Sequence, residues 1–193
     1  MFNFQKKCFV GLFAIAISGC STLNDGLNTL NTGLSAVNQV LGATTSTLGV
    51  GPTVRITPAQ SNLIQQGLQN SQKLYKGNIA NAITEATPNI SKVTSFLACY
   101  PSYDSHKYLA QYSAPNVNAF FTTSSPMYQM RSYHPQSQCV SVAKFQGWKM
   151  PTYNSLRFET IYISEASGQS QKQTYEMVKQ PSGEWLFTQA SPF

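Results

Sequence analysis

Leu156–Gln189 reads LRFETIYISEASGQSQKQTYEMVKQPSGEWLFTQ, and this stretch decides the fold. Leu156, Phe158 and Tyr162 alternate with Arg157, Glu159 and Ile161. A period of two puts one face of a strand into a core and leaves the other partly wet. Ala166-Ser167-Gly168 and Pro181-Ser182-Gly183 are turn clusters, each followed by a β-rich run, at Gln171–Lys179 and at Glu184–Gln189. Connections this short make consecutive strands antiparallel neighbours.

Toward the N-terminus the same texture predicts two more strands, Cys139–Trp148 and Met127–Tyr133, bounded by the turns Met150–Asn154 and His134–Ser137. Before them the period changes. Thr57-Pro58 has the form of an N-cap followed by proline in the first turn. Leu63, Ile64, Leu68, Leu74, Tyr75, Ile79 and Ile83 then keep a helical face to about Glu85. Pro88 is expected to interrupt it, and Ile90, Val93, Phe96 and Leu97 predict a second, shorter helix ending near Cys99. Tyr100–Pro126 reads as loop, with a short helix near Ser105–Tyr112 or Val117–Phe121. The expected class is α+β: N-terminal helices packed on a mainly antiparallel meander sheet of about five strands, spanning residues 57–193. With its closing PSGEWLF hairpin this layout is similar to the cystatin-like and nuclear-transport-factor-like cones of small bacterial lipoproteins, an analogy of fold that carries no function.

Residues 20–56 read differently. LNDGLNT, LNTGLSA and VNQVLGA are consecutive heptads from Leu23 to Ala43, and TTSTLGV follows as a looser copy. Their apolar residues recur at alternating steps of four and three, the seam of a coiled coil. Gly26, Gly33, Gly42 and Gly49 each cost about 1 kcal/mol relative to alanine inside a helix. A lone helix of this composition is marginal in water. Three readings stay open: a self-associating stalk, an amphipathic helix on a membrane, and a tether that becomes helical against lipid or a partner. A fully helical seam would span roughly 40 Å at 1.5 Å per residue.

The first residues, MFNFQKKCFVGLFAIAISGC, place Lys6 and Lys7 before an apolar run, Phe9–Ile17, that is too short to span a bilayer and suits a signal peptide. Ile17-Ser18-Gly19-Cys20 resembles the lipobox of bacterial lipoproteins. That resemblance implies a signal peptide over residues 1–19, acylation at Cys20, and membrane attachment through the N-terminal lipid. Two or three acyl chains exceed what stable anchoring requires. Ser21 resembles the residue that follows the cysteine in lipoproteins sent to the Gram-negative outer membrane.

In the exported compartment this implies, Cys99 and Cys139 are an even pair, expected either as a disulfide or as two separate buried thiols. A bridge closing about forty residues would contribute roughly 4 kcal/mol on the chain-entropy account. Neither cysteine has the CxxC or histidine company of a metal site, and no metal or cofactor is expected. The formal charge is +6, but charged residues are only 10% of the chain, so the basic balance reflects few acids and not a basic patch. Nucleic-acid binding is excluded on that ground.

Chemistry-bearing residues are sparse. His106 and His134 are the only histidines, and Asp104 is the only Asp after Asp25. A periplasmic hydrolase or metal-dependent enzyme would have to use these three, yet no GxSxG elbow supports a nucleophile. The unusual feature is CYPSYDSHKYLAQYSAPNVNAFF, with Tyr100, Tyr103, Tyr108 and Tyr112 among small polar residues. Such tyrosines form contact surfaces at low entropic cost, or else pack the end of a sheet and bond locally. The expected function is therefore a non-enzymatic binding or assembly module on the outer membrane, its partner another envelope protein or the chain itself. The enzyme just described, and a small-ligand carrier with a pocket between helices and sheet, are the alternatives.

Overall fold

A computed structural model describes residues 52–121 and 123–192. The signal peptide, Cys20 and the heptads lie outside the described residues. The chain runs α1 (Pro58–Leu74), α2 (Asn78–Cys99), α3 (His106–Leu109) continued by a 3-10 turn (Ala110–Tyr112), α4 (Pro126–Gln129), then β1 (Ser141–Lys149), β2 (Ser155–Ile163), β3 (Ser170–Lys179) and β4 (Trp185–Pro192). The strands form one antiparallel sheet in the order β1-β2-β3-β4. Helices precede a meander, as the α+β reading expects.

Helix α1 starts where the sequence signals it. The Thr57 hydroxyl accepts from the Gln60 N–H at 3.2 Å, and the Gln60 side-chain oxygen accepts from the Thr57 N–H at 3.0 Å, a complete capping box. The Gln60 amide also donates to the Cys139 carbonyl at 3.0 Å, joining the helix start to the chain entering β1. At the other end the helix stops at Tyr75, and Gly77 takes a left-handed φ of 61°. The expected continuation to Glu85 is therefore wrong. Nor does Pro88 interrupt anything: it lies inside α2, which is one uninterrupted helix. Its missing N–H falls on the exposed side. On the other side Ile83, Ala86, Ile90, Val93 and Leu97 form one buried stripe, and burying that stripe outweighs the proline's cost.

The predicted strand Met127–Tyr133 is also corrected. Pro126–Gln129 is a short helix followed by turns, so the sheet has four strands and not five. Ser125 caps this helix, accepting from the Tyr128 N–H at 3.1 Å, with Pro126 in the first turn. Met127 and Met130, three apart, turn their fully buried side chains into the core.

The core lies between the two long helices and one face of the sheet. Leu156, Phe158, Thr160 and Tyr162 are all fully buried, while Arg157 is exposed and Glu159, Ile161 and Ile163 are half-buried on the opposite face. Rings connect across the strands: Trp148 stacks on Phe158 at 4.6 Å, Phe158 on Tyr175 at 5.1 Å, and Tyr175 meets Phe187 edge-on at 5.7 Å. Phe120 extends the series from the loop, 5.4 Å from Phe187. Cys99 and Cys139 are joined as a disulfide with Cα atoms 4.3 Å apart. The bridge ties the end of α2 to the residue just before Val140, whose N–H donates to the Ala98 carbonyl at 2.9 Å. Cys139 thus lies just before β1 and not within it, as the expected strand Cys139–Trp148 had it.

Candidate binding surface

The tyrosine-rich loop is fastened from beneath. The Ser105 hydroxyl donates to the Thr123 carbonyl at 2.9 Å, and the Thr123 hydroxyl donates to the Ala190 carbonyl on β4. Ser125 lies against the Tyr100 and Ser102 carbonyls. Asp104 gathers the loop's other donors: Ser102 at 2.6 Å, Tyr100 at 2.7 Å and the Lys107 ammonium at 3.0 Å. The hydroxyls of Ser102 and Tyr100, assisted by Lys107, hold the Asp104 carboxyl well below the usual range. Burial, followed by the bond to Asp104, pushes the Tyr100 hydroxyl up, so it remains a donor.

The four tyrosines divide accordingly. Tyr100 is buried, stacked on Phe96 at 4.8 Å and edge-on to Tyr108 at 5.2 Å. Tyr108 and Tyr112 are half-buried against the core, and burial raises the Tyr112 hydroxyl as well. Tyr103 alone is open, at 66% exposure. Its ring stands 6.1 Å from that of Tyr128, and the Arg131 guanidinium carbon lies 4.3 Å from the Tyr128 ring centroid. Arg131 also donates to the Tyr128 carbonyl at 3.1 Å, which fixes its side chain over that ring. Phe121, 65% exposed, packs edge-on to His106 at 5.6 Å. The surface is therefore Tyr103, Tyr128 and Arg131: two tyrosine rings and a guanidinium, residue types that dominate binding energy at interfaces.

Tyr128 and Arg131 escaped sequence reasoning because they fell within the strand wrongly expected at Met127–Tyr133. The signal that would have found them is Ser125-Pro126, which repeats the Thr57-Pro58 signature that was read correctly.

Asp104, His106 and His134 occupy separate arrangements. The His134 ring is buried; its Nε2 lies 2.8 Å from the Gln138 carbonyl and its Nδ1 lies 3.0 Å from the Ser164 hydroxyl. A carbonyl only accepts, so Nε2 carries a hydrogen toward Gln138, while Nδ1 pairs with the Ser164 hydroxyl, which also lies 3.3 Å from the Tyr133 carbonyl. That pair clamps the start of the β2–β3 hairpin to the turn before β1. Among the described residues no hydrogen bond joins any two of Asp104, His106 and His134, and no group of three His, Cys, Asp or Glu side chains is placed to hold a metal. No helix among them is long and apolar enough to cross a membrane. The chain matches no family model, no curated protein and no solved structure.

Proposed function

We propose that this protein is a lipid-anchored component of the bacterial outer membrane, whose α+β domain binds another envelope protein, or a second copy of itself, without catalysis. The lipobox-like Ile17–Cys20 supports the anchoring, and the heptads of residues 23–50 support a spacer or assembly element between lipid and domain. The observation that carries the binding role is the Tyr103–Tyr128–Arg131 surface. Its rings and guanidinium are held by local contacts before any partner arrives, which lowers the entropic cost of association.

Two measurements test the two parts. Replacing Cys20 by Ser moves the protein out of the membrane fraction and removes acyl mass from the mature chain. Retention in membranes with no acyl mass in the native protein refutes the anchor. Crosslinking in intact cells, read by mass spectrometry, gives adducts at or beside Tyr103. Tyr103→Ala with Arg131→Ala abolishes them while changing stability by no more than about 0.5 kcal/mol, the usual effect of surface substitutions. Adducts that survive the double variant refute this surface.

A further inference from the structure

The core face of the sheet is polar at one unusual place. Thr160 on β2 and Gln173 on β3 are direct cross-strand partners, and both are fully buried. Neither the Thr160 hydroxyl nor either end of the Gln173 amide has a hydrogen-bond partner. Elsewhere in the interior, Thr87 and Thr94 turn back to the Ile83 and Ile90 carbonyls of their own helix, both at 2.7 Å, while Ser91 Oγ on α2 and Trp148 Nε1 on β1 are single buried atoms without a partner. Thr160 and Gln173, on strands whose backbone groups serve the ladder, have no such acceptor within reach. Phe145 on β1 and Pro192 on β4 complete the row, and neither side chain has a donor or acceptor to offer.

Tyr162 and Tyr175 stand one step to either side of this pair on opposite strands, and their hydroxyls meet at 2.8 Å. Their bridge therefore crosses the level of Thr160 and Gln173. Burial keeps both phenols protonated far above the ordinary range. Only one hydrogen is used between two hydroxyls, so the other remains available to a third group. The short helix α4, with Met127 fully buried, packs against β3. Unbranched methionine side chains adjust readily to a guest. Among the described residues no Asp, Glu, Lys or Arg is buried, so an ion here would lack a counter-charge.

We propose that Thr160 and Gln173, beneath the Tyr162–Tyr175 bridge, form a small internal binding site for a neutral molecule that both donates and accepts hydrogen bonds. The Gln173 amide offers two N–H donors and one carbonyl acceptor, Thr160 a hydroxyl, and the tyrosine bridge one further donor. A single long-lived water satisfies that chemistry, and so does the amide or alcohol end of a small solute. The site is independent of the Tyr103 surface and of the partner bound there.

Side-chain nitrogen-15 labelling of glutamine in the full chain, kept in detergent micelles, tests the proposal. The Gln173 amide is identified through its β3 backbone neighbours, so the assignment needs no variant that has to fold. Magnetisation transfer from a water with a residence time longer than molecular tumbling identifies water as the occupant. A saturable shift of the Gln173 resonance on titration with acetamide, reduced in Thr160→Val, identifies a solute site. A Gln173 amide that shows neither effect, or that exchanges as fast as an exposed glutamine, overturns the proposal.

Discussion

Asp104 shows how one carboxylate organises the loop from Tyr100 to Lys107. It accepts from Ser102, Tyr100 and Lys107, and these bonds depress its proton affinity in the folded state. A folded value below the unfolded one means that its stabilisation is present above about pH 4, the ordinary carboxylate range, and is lost as pH falls through the depressed value. Asp104→Asn keeps an acceptor but removes the titration, so its stability declines less steeply than the wild type's in urea melts below about pH 4. Asp104→Ala removes acceptors from a buried tyrosine and should cost about 2 kcal/mol at neutral pH, in the range for hydrogen bonds to charged groups. Glu85 gives a second acid-sensitive contact, accepting from Lys179 at 2.7 Å and from the Trp185 indole at 2.9 Å, which likewise depresses its proton affinity. At Gly67 the close approach of α1 to the sheet is visible directly. A Cβ there would lie 2.9 Å from a Phe145 ring carbon, and that ring is buried. Alanine gains at most about 1 kcal/mol in helix propensity, whereas overpacking costs about 1–3 kcal/mol, so Gly67→Ala is net destabilising. Equilibrium unfolding that shows a stabilised variant would contradict this.

At the scale of elements, the two prolines that open helices and the one inside a helix teach different things. Pro58 and Pro126 occupy first turns, where no N–H is needed, behind the capping oxygens of Thr57 and Ser125. Pro88 sits within α2, exposed, and survives because the helix is held by its buried face. Pro88→Ala restores a backbone hydrogen bond and removes no packing. It should raise stability by about 1–3 kcal/mol, the lower end if the freer unfolded chain offsets part of the gain. Chemical denaturation reads that difference, and an unchanged midpoint would mean that the helix already accommodates the ring without loss. Further along the same helix Asn89 donates to the Glu184 carboxylate at 3.1 Å and to the Trp185 carbonyl at 2.9 Å. With Glu85 it docks α2 onto the β3–β4 hairpin, tying the start of β4 to a helix nearly a hundred residues earlier.

For the whole molecule, the helical layer and the sheet are separate stretches of chain, and the Cys99–Cys139 bridge joins them across a sequence separation of 40. Everything between, including the tyrosine loop and α4, is a closed excursion from that bridge. Cys99→Ser with Cys139→Ser opens it and should lower stability by about 4 kcal/mol if the constraint acts through the unfolded chain. A reduced wild type with the same unfolding midpoint as the oxidised form would contradict that. The loop ordered this way presents Tyr103, Tyr128 and Arg131, so the double cysteine variant should also weaken the crosslinks expected at that surface.

What the sequence determined by itself were features whose causes lie within a few residues: the alternation of Leu156–Tyr162, the turns at Gly168 and Gly183, the N-cap at Thr57 with Pro58 behind it, and a cysteine pair fit to bridge. Steric preference and local hydrogen bonding settle these wherever the chain goes. The tertiary structure decided where α1 stops, that α2 continues through Pro88, that Met127–Met130 bury as a helical turn, and that Tyr103 is open while Tyr100 is buried. Each of those depends on surface brought from far along the chain, because burial is set by what arrives on the other side. Gln173 and Thr160 make the distinction plainest: polar in the sequence and unremarked there, they stand out only once the fold has enclosed them.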